Sequence, residues 1–86
     1  MSKKLSEFKV KYIHKAMQLK KELEEKYQNR KDRVEYVVDV IIHKLYTLKS
    51  HSLPDYLHTI YLACKEFSEI CLLLPSEEEI SEILSD

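Results

Sequence analysis

Glycine is absent from this 86-residue chain, tryptophan is absent, and there are only two prolines and one asparagine. A phosphate-binding loop, a dinucleotide fingerprint and a nucleophile elbow all need glycine where backbone approaches phosphate or turns sharply, so none of them is present. Two-residue hairpins draw on Asn-Gly and Asp-Gly pairs, which a glycine-free chain cannot supply, and this argues against a β-rich fold. The apolar run from Cys71 to Pro75, like every other in the chain, falls far short of the roughly 20 residues that a membrane-spanning helix requires. The opening stretch MSKKLSEFKVKYIHK has no apolar core of a secretory signal, so a cytoplasmic location is expected.

Cysteine is also scarce, with Cys64 and Cys71 alone. On one continuous helix they would lie about 10 Å apart, too far for a disulfide, so both read as small buried hydrophobes. Glutamine and asparagine together number three, against an abundance of Lys, Glu, Ile and Leu, a balance that leans toward a thermophile proteome. The net charge of −1 conceals a polarised chain. Residues 1–33 hold 11 Lys/Arg against 5 Asp/Glu, a net of +6, and residues 34–86 hold 3 against 10, a net of −7. Seven acids and no base lie between Glu66 and Asp86.

What remains is helical periodicity. Leu5, Phe8, Tyr12, Ala16, Leu19, Leu23 and Tyr27 recur at spacings of three and four, widened by Val10, Ile13 and Met17, and predict a helix over about 2–28. Glu7 with Lys11, and Glu22 with Lys26, have the i,i+4 spacing of favourable pairs. The β-branched run EYVVDVIIHKLY breaks strict alternation at Val37-Val38 and Ile41-Ile42. Val34, Val37, Val38, Ile41, Leu45 and Leu48 fall on one helical stripe instead, predicting a helix over about 33–50 whose cap is Asp32 with Glu35. Its apolar arc spans roughly 200° when Val40 and Ile42 are included, twice what one packed side needs, while Glu35, Asp39 and His43 form a narrow wet stripe.

A third helix is expected over about 53–74, with Ser52, Pro54 and Asp55 at its start and Leu53, Tyr56, Leu57, Ile60, Cys64, Phe67, Cys71 and Leu74 on its core stripe. Leu62 and Leu73 fall on the opposite side and mark a contact strip. Pro75 ends that helix, and Ser76 with Glu79 makes an S-x-x-E capping box for a short fourth helix over about 76–85. That helix presents Ile80, Ile83 and Leu84 on one face, either to its own bundle over Leu62, Leu72 and Leu73 or to a partner's groove. Short connections make consecutive helices antiparallel neighbours, so the expected architecture is all-α: one domain, an antiparallel three-helix bundle with a short fourth helix.

Chemistry-bearing constellations are sparse. His14, His43, His51 and His58 make neither an H-x-x-x-H pair nor a zinc-finger spacing with the cysteines, and no catalytic residue, metal site or cofactor is assigned. Lys26, Arg30, Lys31 and Arg33 cluster at the first turn and could sit on phosphates through counterion release. A helix-turn-helix is a poor fit, because the second helix has no polar reading face. The six tyrosines suit helix packing and interfaces alike, with Tyr36 flanking the wet stripe of the second helix.

In its size, lack of glycine, Lys/Glu/Ile/Tyr-rich composition and acidic end, the chain resembles the small accessory subunits of crenarchaeal family-B replicative DNA polymerases. That resemblance implies a non-catalytic subunit bound to the polymerase and lying near DNA, and it assigns no residue roles. The expected function is therefore an accessory or adaptor subunit that binds a larger protein through Leu62, Leu73, Ile80, Ile83, Leu84, Tyr36 and Val40. Two alternatives stand beside it: a direct non-specific nucleic-acid binder using Lys26, Arg30, Lys31 and Arg33, and a homodimer burying the second helix against its mate.

Overall fold

The computed structural model describes residues 3–85. The fold is all-α: α1 (Lys3–Lys26), α2 (Lys31–Tyr46), α3 (Leu53–Glu66) and α4 (Glu77–Ser85), with 3-10 turns at Gln28–Arg30, Ser50–Ser52 and Ser68–Leu73. No strand occurs among the described residues. The molecule is a short rod, 42 × 20 × 19 Å.

Cross-links between helices fix their directions. Lys9 Nζ donates to the carbonyl of Tyr46, and Lys20 meets Asp39 at 3.1 Å, so α1 and α2 run antiparallel. Arg33 meets Glu66 and Lys44 meets Asp55, so α2 and α3 do the same. The acidic α4 returns antiparallel along α1, where Glu79 accepts hydrogen bonds from Lys11 Nζ and the Tyr12 hydroxyl.

The core follows the predicted stripes on α1 and α2. Leu5, Phe8, Tyr12, Ala16, Leu19 and Leu23 are buried, as are Val34, Val37, Val38, Ile41, Leu45 and Leu48. Burying an aliphatic side chain of this size contributes about 1.5–3 kcal/mol, well above the fraction of a kcal/mol that a valine costs in helix propensity. That is why the β-branched segment coils. Phe8 packs on Tyr12 and edge-on to Tyr56, and Tyr27 packs edge-on to Phe67 at 5.1 Å, so an aromatic cluster sits toward each end of the rod. The Tyr56 hydroxyl is buried with no hydrogen-bond partner among the described residues, and burial raises its pKa well above that of a free phenol. Burial first, and then the bond to Glu79, push the Tyr12 hydroxyl up to about 12.

Several expectations give way. Val10 and Met17 are exposed, because α1 is flanked by α2 on one side and by α4 and the last 3-10 turn on the other, leaving its back open. Lys11 and Lys26 reach Glu79 and Glu69 across the fold rather than the local Glu7 and Glu22. Asp32 does not cap α2. The 3-10 turn Gln28–Arg30 feeds straight into the helix and places Asp32 inside its first turn, where the helix dipole favours an acid. Ser52 closes the preceding 3-10 turn instead of α3, accepting from the Lys49 N–H at 2.9 Å and donating to the Lys49 carbonyl. Pro54 does sit in the first turn of α3. Ser76 accepts from the Glu79 N–H at 3.2 Å, which is half of the expected capping box, and the Glu79 carboxylate turns to α1.

The largest departure is the third helix, which stops at Glu66. Phe67 is extended (φ −131°, ψ 102°), and residues 68–73 wind on as a 3-10 turn. A 3-10 turn repeats every three residues, so Phe67, Ile70 and Leu73 all enter the core, together with Ala63. Leu73 is therefore not part of an outward strip. Cys64 is half-buried and Cys71 exposed, and Leu74 is exposed as well, so the expected core roles of these three are corrected. The break also brings the Cα atoms of Cys64 and Cys71 to 5.1 Å, and the two form a disulfide. The continuous helix that would have kept them apart does not exist.

Candidate protein-binding surface

α2 lies between α1 and α3 and cannot bury its whole apolar arc. Ile42 is half-covered on the α1 side and Val37 is covered on the α3 side. Between α3 and the wet stripe the arc stays open: Tyr36 is 61% exposed and Val40 is half-buried. Across from them α3 presents Leu62, 51% exposed. Together these side chains wall a shallow apolar groove whose floor is Val37, Thr59 and Ala63.

Ion pairs close both ends of the groove. At one end the Arg33 guanidinium donates to both Glu66 oxygens, at 2.6 and 2.9 Å, and Arg30 adds a bond to the same carboxylate at 2.8 Å. Bidentate pairing of this kind fixes geometry as well as adding energy. The Arg33 bond is the main reason the Glu66 carboxyl titrates below its ordinary range, with burial opposing it. Arg33 also lies over the Tyr36 ring at 5.4 Å, which steadies the ring on the groove wall. At the other end Lys44 meets Asp55 at 2.8 Å. The rim of α2 carries Asp32, Glu35 and Asp39 beside Tyr36 and Val40, and only Asp39 has an ion-pair partner among the described residues, Lys20.

Of the residues expected to bind a partner, the fold gathers Tyr36, Val40 and Leu62 and disperses the rest. Leu73 is in the core, Ile83 is buried, Ile80 is half-buried against α1, and Leu84 is exposed at the far end of the chain. The tail thus folds back, but onto α1 and not over Leu62 and Leu72, which both stay exposed. The fold-back is anchored by Glu79, whose carboxyl lies below its ordinary range: burial opposes ionisation, but the Tyr12 and Lys11 hydrogen bonds outweigh it.

The basic turn is largely answered by acids from the chain's second half. Lys26 and the Tyr27 hydroxyl both bond to Glu69, and Arg30 and Arg33 share Glu66. Lys31 alone of the four cations has no ion-pair partner among the described residues. The charge split read from the sequence is in large part an internal complement between the first turn and the end of α3.

Thr59, Ala63 and the pairs Arg33–Glu66 and Lys44–Asp55 were not singled out by pattern. Each depends on the register of α2 against α3, which no local spacing encodes. Among the described residues, no group of three or more His, Cys, Asp or Glu side chains could hold a metal ion, and no helix is long and apolar enough to cross a membrane. No family model, no curated protein and no solved structure matches the chain.

Proposed function

We propose that this chain is a non-catalytic accessory or adaptor subunit that docks on a larger protein through the α2–α3 groove. The observation that carries the reading is the exposure of Tyr36 and Leu62 on facing walls of one groove, with Val40 one turn along α2 from Tyr36. A large ring with one wet end, facing an aliphatic side chain across a groove, is the kind of anchor that protein interfaces use. The compositional resemblance to accessory subunits of replicative DNA polymerases makes a polymerase the first candidate for the larger protein. The test is capture of partners from native extract by the wild-type chain and by Leu62→Asp and Tyr36→Ala variants. Specific loss of the same protein from both variants is expected. A partner retained equally by all three chains would sink the reading.

Direct nucleic-acid binding ranks second. The four cations of the first turn face two engaged acids, leaving a local net charge of +2. A low-salt DNA titration separates the two functions, because a direct binder loses affinity steeply with salt.

A further inference from the structure

The occupant of the groove can be specified more closely, on an inference that rests on the docking reading above. We infer that the groove receives one amphipathic α-helix of a partner protein, about three turns long, with an apolar stripe facing Leu62 and basic residues along the flank facing α2.

Three observations on the site combine. First, the groove runs between two antiparallel helices from the Arg33–Glu66 pair to the Lys44–Asp55 pair. Eleven residues of α2 separate those ends, about 16 Å at 1.5 Å per residue, which is the length of about three helical turns. A helix laid there completes the apolar surroundings of α2, whose other flanks already rest on α1 and α3. Second, Tyr36 and Val40 are spaced i,i+4, and Leu62 stands opposite them. This spacing receives apolar residues at i, i+3 or i+4, and i+7 of an incoming helix, as in other helix-in-groove interfaces. An extended strand is a poor occupant, because the groove walls are side chains of helices whose backbone donors and acceptors are already used.

Third, the two rims differ in charge. The α2 rim beside Tyr36 and Val40 carries Asp32, Glu35 and Asp39, of which Asp39 is engaged by Lys20; the Lys44–Asp55 end of the groove cancels, while the other end, where Arg30 and Arg33 share Glu66, keeps one positive charge. On α3 the residue beyond Leu62 is Lys65, whose ammonium lies 4.7 Å from the Tyr61 ring centre. A helix with Lys or Arg on the α2 side meets opposite charge, and one with acids there is repelled. Such complementarity selects orientation and speeds encounter. The chain's own α4 is acidic and occupied on α1, so it is not a candidate from a second copy.

The probes are two synthetic helical peptides of about 14 residues with the same leucine stripe, one flanked by lysine and one by glutamate. Binding to the isotope-labelled full chain is followed by amide chemical shifts and calorimetry. The lysine peptide is expected to bind and to shift Tyr36, Val40, Thr59 and Leu62. Leu62→Asp should weaken it about tenfold or more, as loss of a central anchor does. The double change Asp32→Lys, Glu35→Lys should weaken it by less and reduce its salt dependence. Both sites are exposed, so unchanged helical circular dichroism controls for folding. If the two peptides bind alike, the basic flank is wrong and the docking groove stands. If neither shifts those amides, the groove reading falls with it.

Discussion

The α1–α2 hairpin and the stretch from Phe67 to α4 are held in different ways. The hairpin is an apolar ladder, with Ala16 and Leu23 facing Val34, Val38, Ile41 and Leu45, nearly all sealed from solvent. The second region places Ile70, Leu73 and Ile83 in the core but depends on point links: the Cys64–Cys71 disulfide, Lys26 and Tyr27 on Glu69, Arg33 on Glu66, and Tyr12 and Lys11 on Glu79. Burial of apolar groups is indifferent to redox state and pH and is not weakened by ionic screening. Point links respond to all three, so the two ends of one core should fail under different conditions.

The hairpin breaks most completely through its centre. Ile41→Ala removes a fully buried side chain between α1 and α3 and should cost about 2–5 kcal/mol in denaturant unfolding, enough to threaten a domain of this size. A loss under about 1 kcal/mol would mean that the ladder is not what holds the hairpin.

The second region is the one that reductant should reach. The disulfide closes a short loop around the helix break, and opening it with dithiothreitol or Cys71→Ser should cost about 2–3 kcal/mol by loop entropy. Hydrogen exchange should quicken first over residues 67–74, while α1 and α2 keep their protection. Equal quickening throughout would erase the contrast between the regions.

Acid acts in the same place with a smaller effect. Glu66, Glu69 and Glu79 all have folded pKa values below the ordinary 4.5. Unfolding therefore takes up protons in acid. The stabilisation is complete above about pH 4.5 and fades as pH falls through the lower folded values. Denaturant midpoints measured from pH 6 to pH 3 should decline, and the decline should shrink in a Glu66→Gln, Glu69→Gln chain. A flat profile would show that these carboxylates contribute nothing.

How far the pattern of residues reaches is clearest at the two breaks. Pro75 announces the end of the third helical region, and it does end there. Phe67 carries no glycine or proline to announce the earlier break, which is fixed by links to Lys26, Tyr27 and Cys64 that are distant in sequence or off the helical line. The groove was legible in part. Leu62 is marked as an apolar residue on a wet face and Tyr36 and Val40 as the edge of a broad apolar arc, but Leu73 is marked for the same reason as Leu62 and is buried. Periodicity identifies a face and cannot tell which neighbour covers it.

The amino-acid order by itself determined four helical segments, the core stripes of α1 and α2, and the opposition of a basic first turn to an acidic second half, because spacings of three and four and the sign of a side chain are local properties. The tertiary structure decided where α3 breaks, that the cysteines meet, that Glu66 and Glu69 answer the arginines and lysine, and which apolar residues stay in water. Those outcomes depend on the register in which helices settle against one another, and register is set by the packing of the whole core.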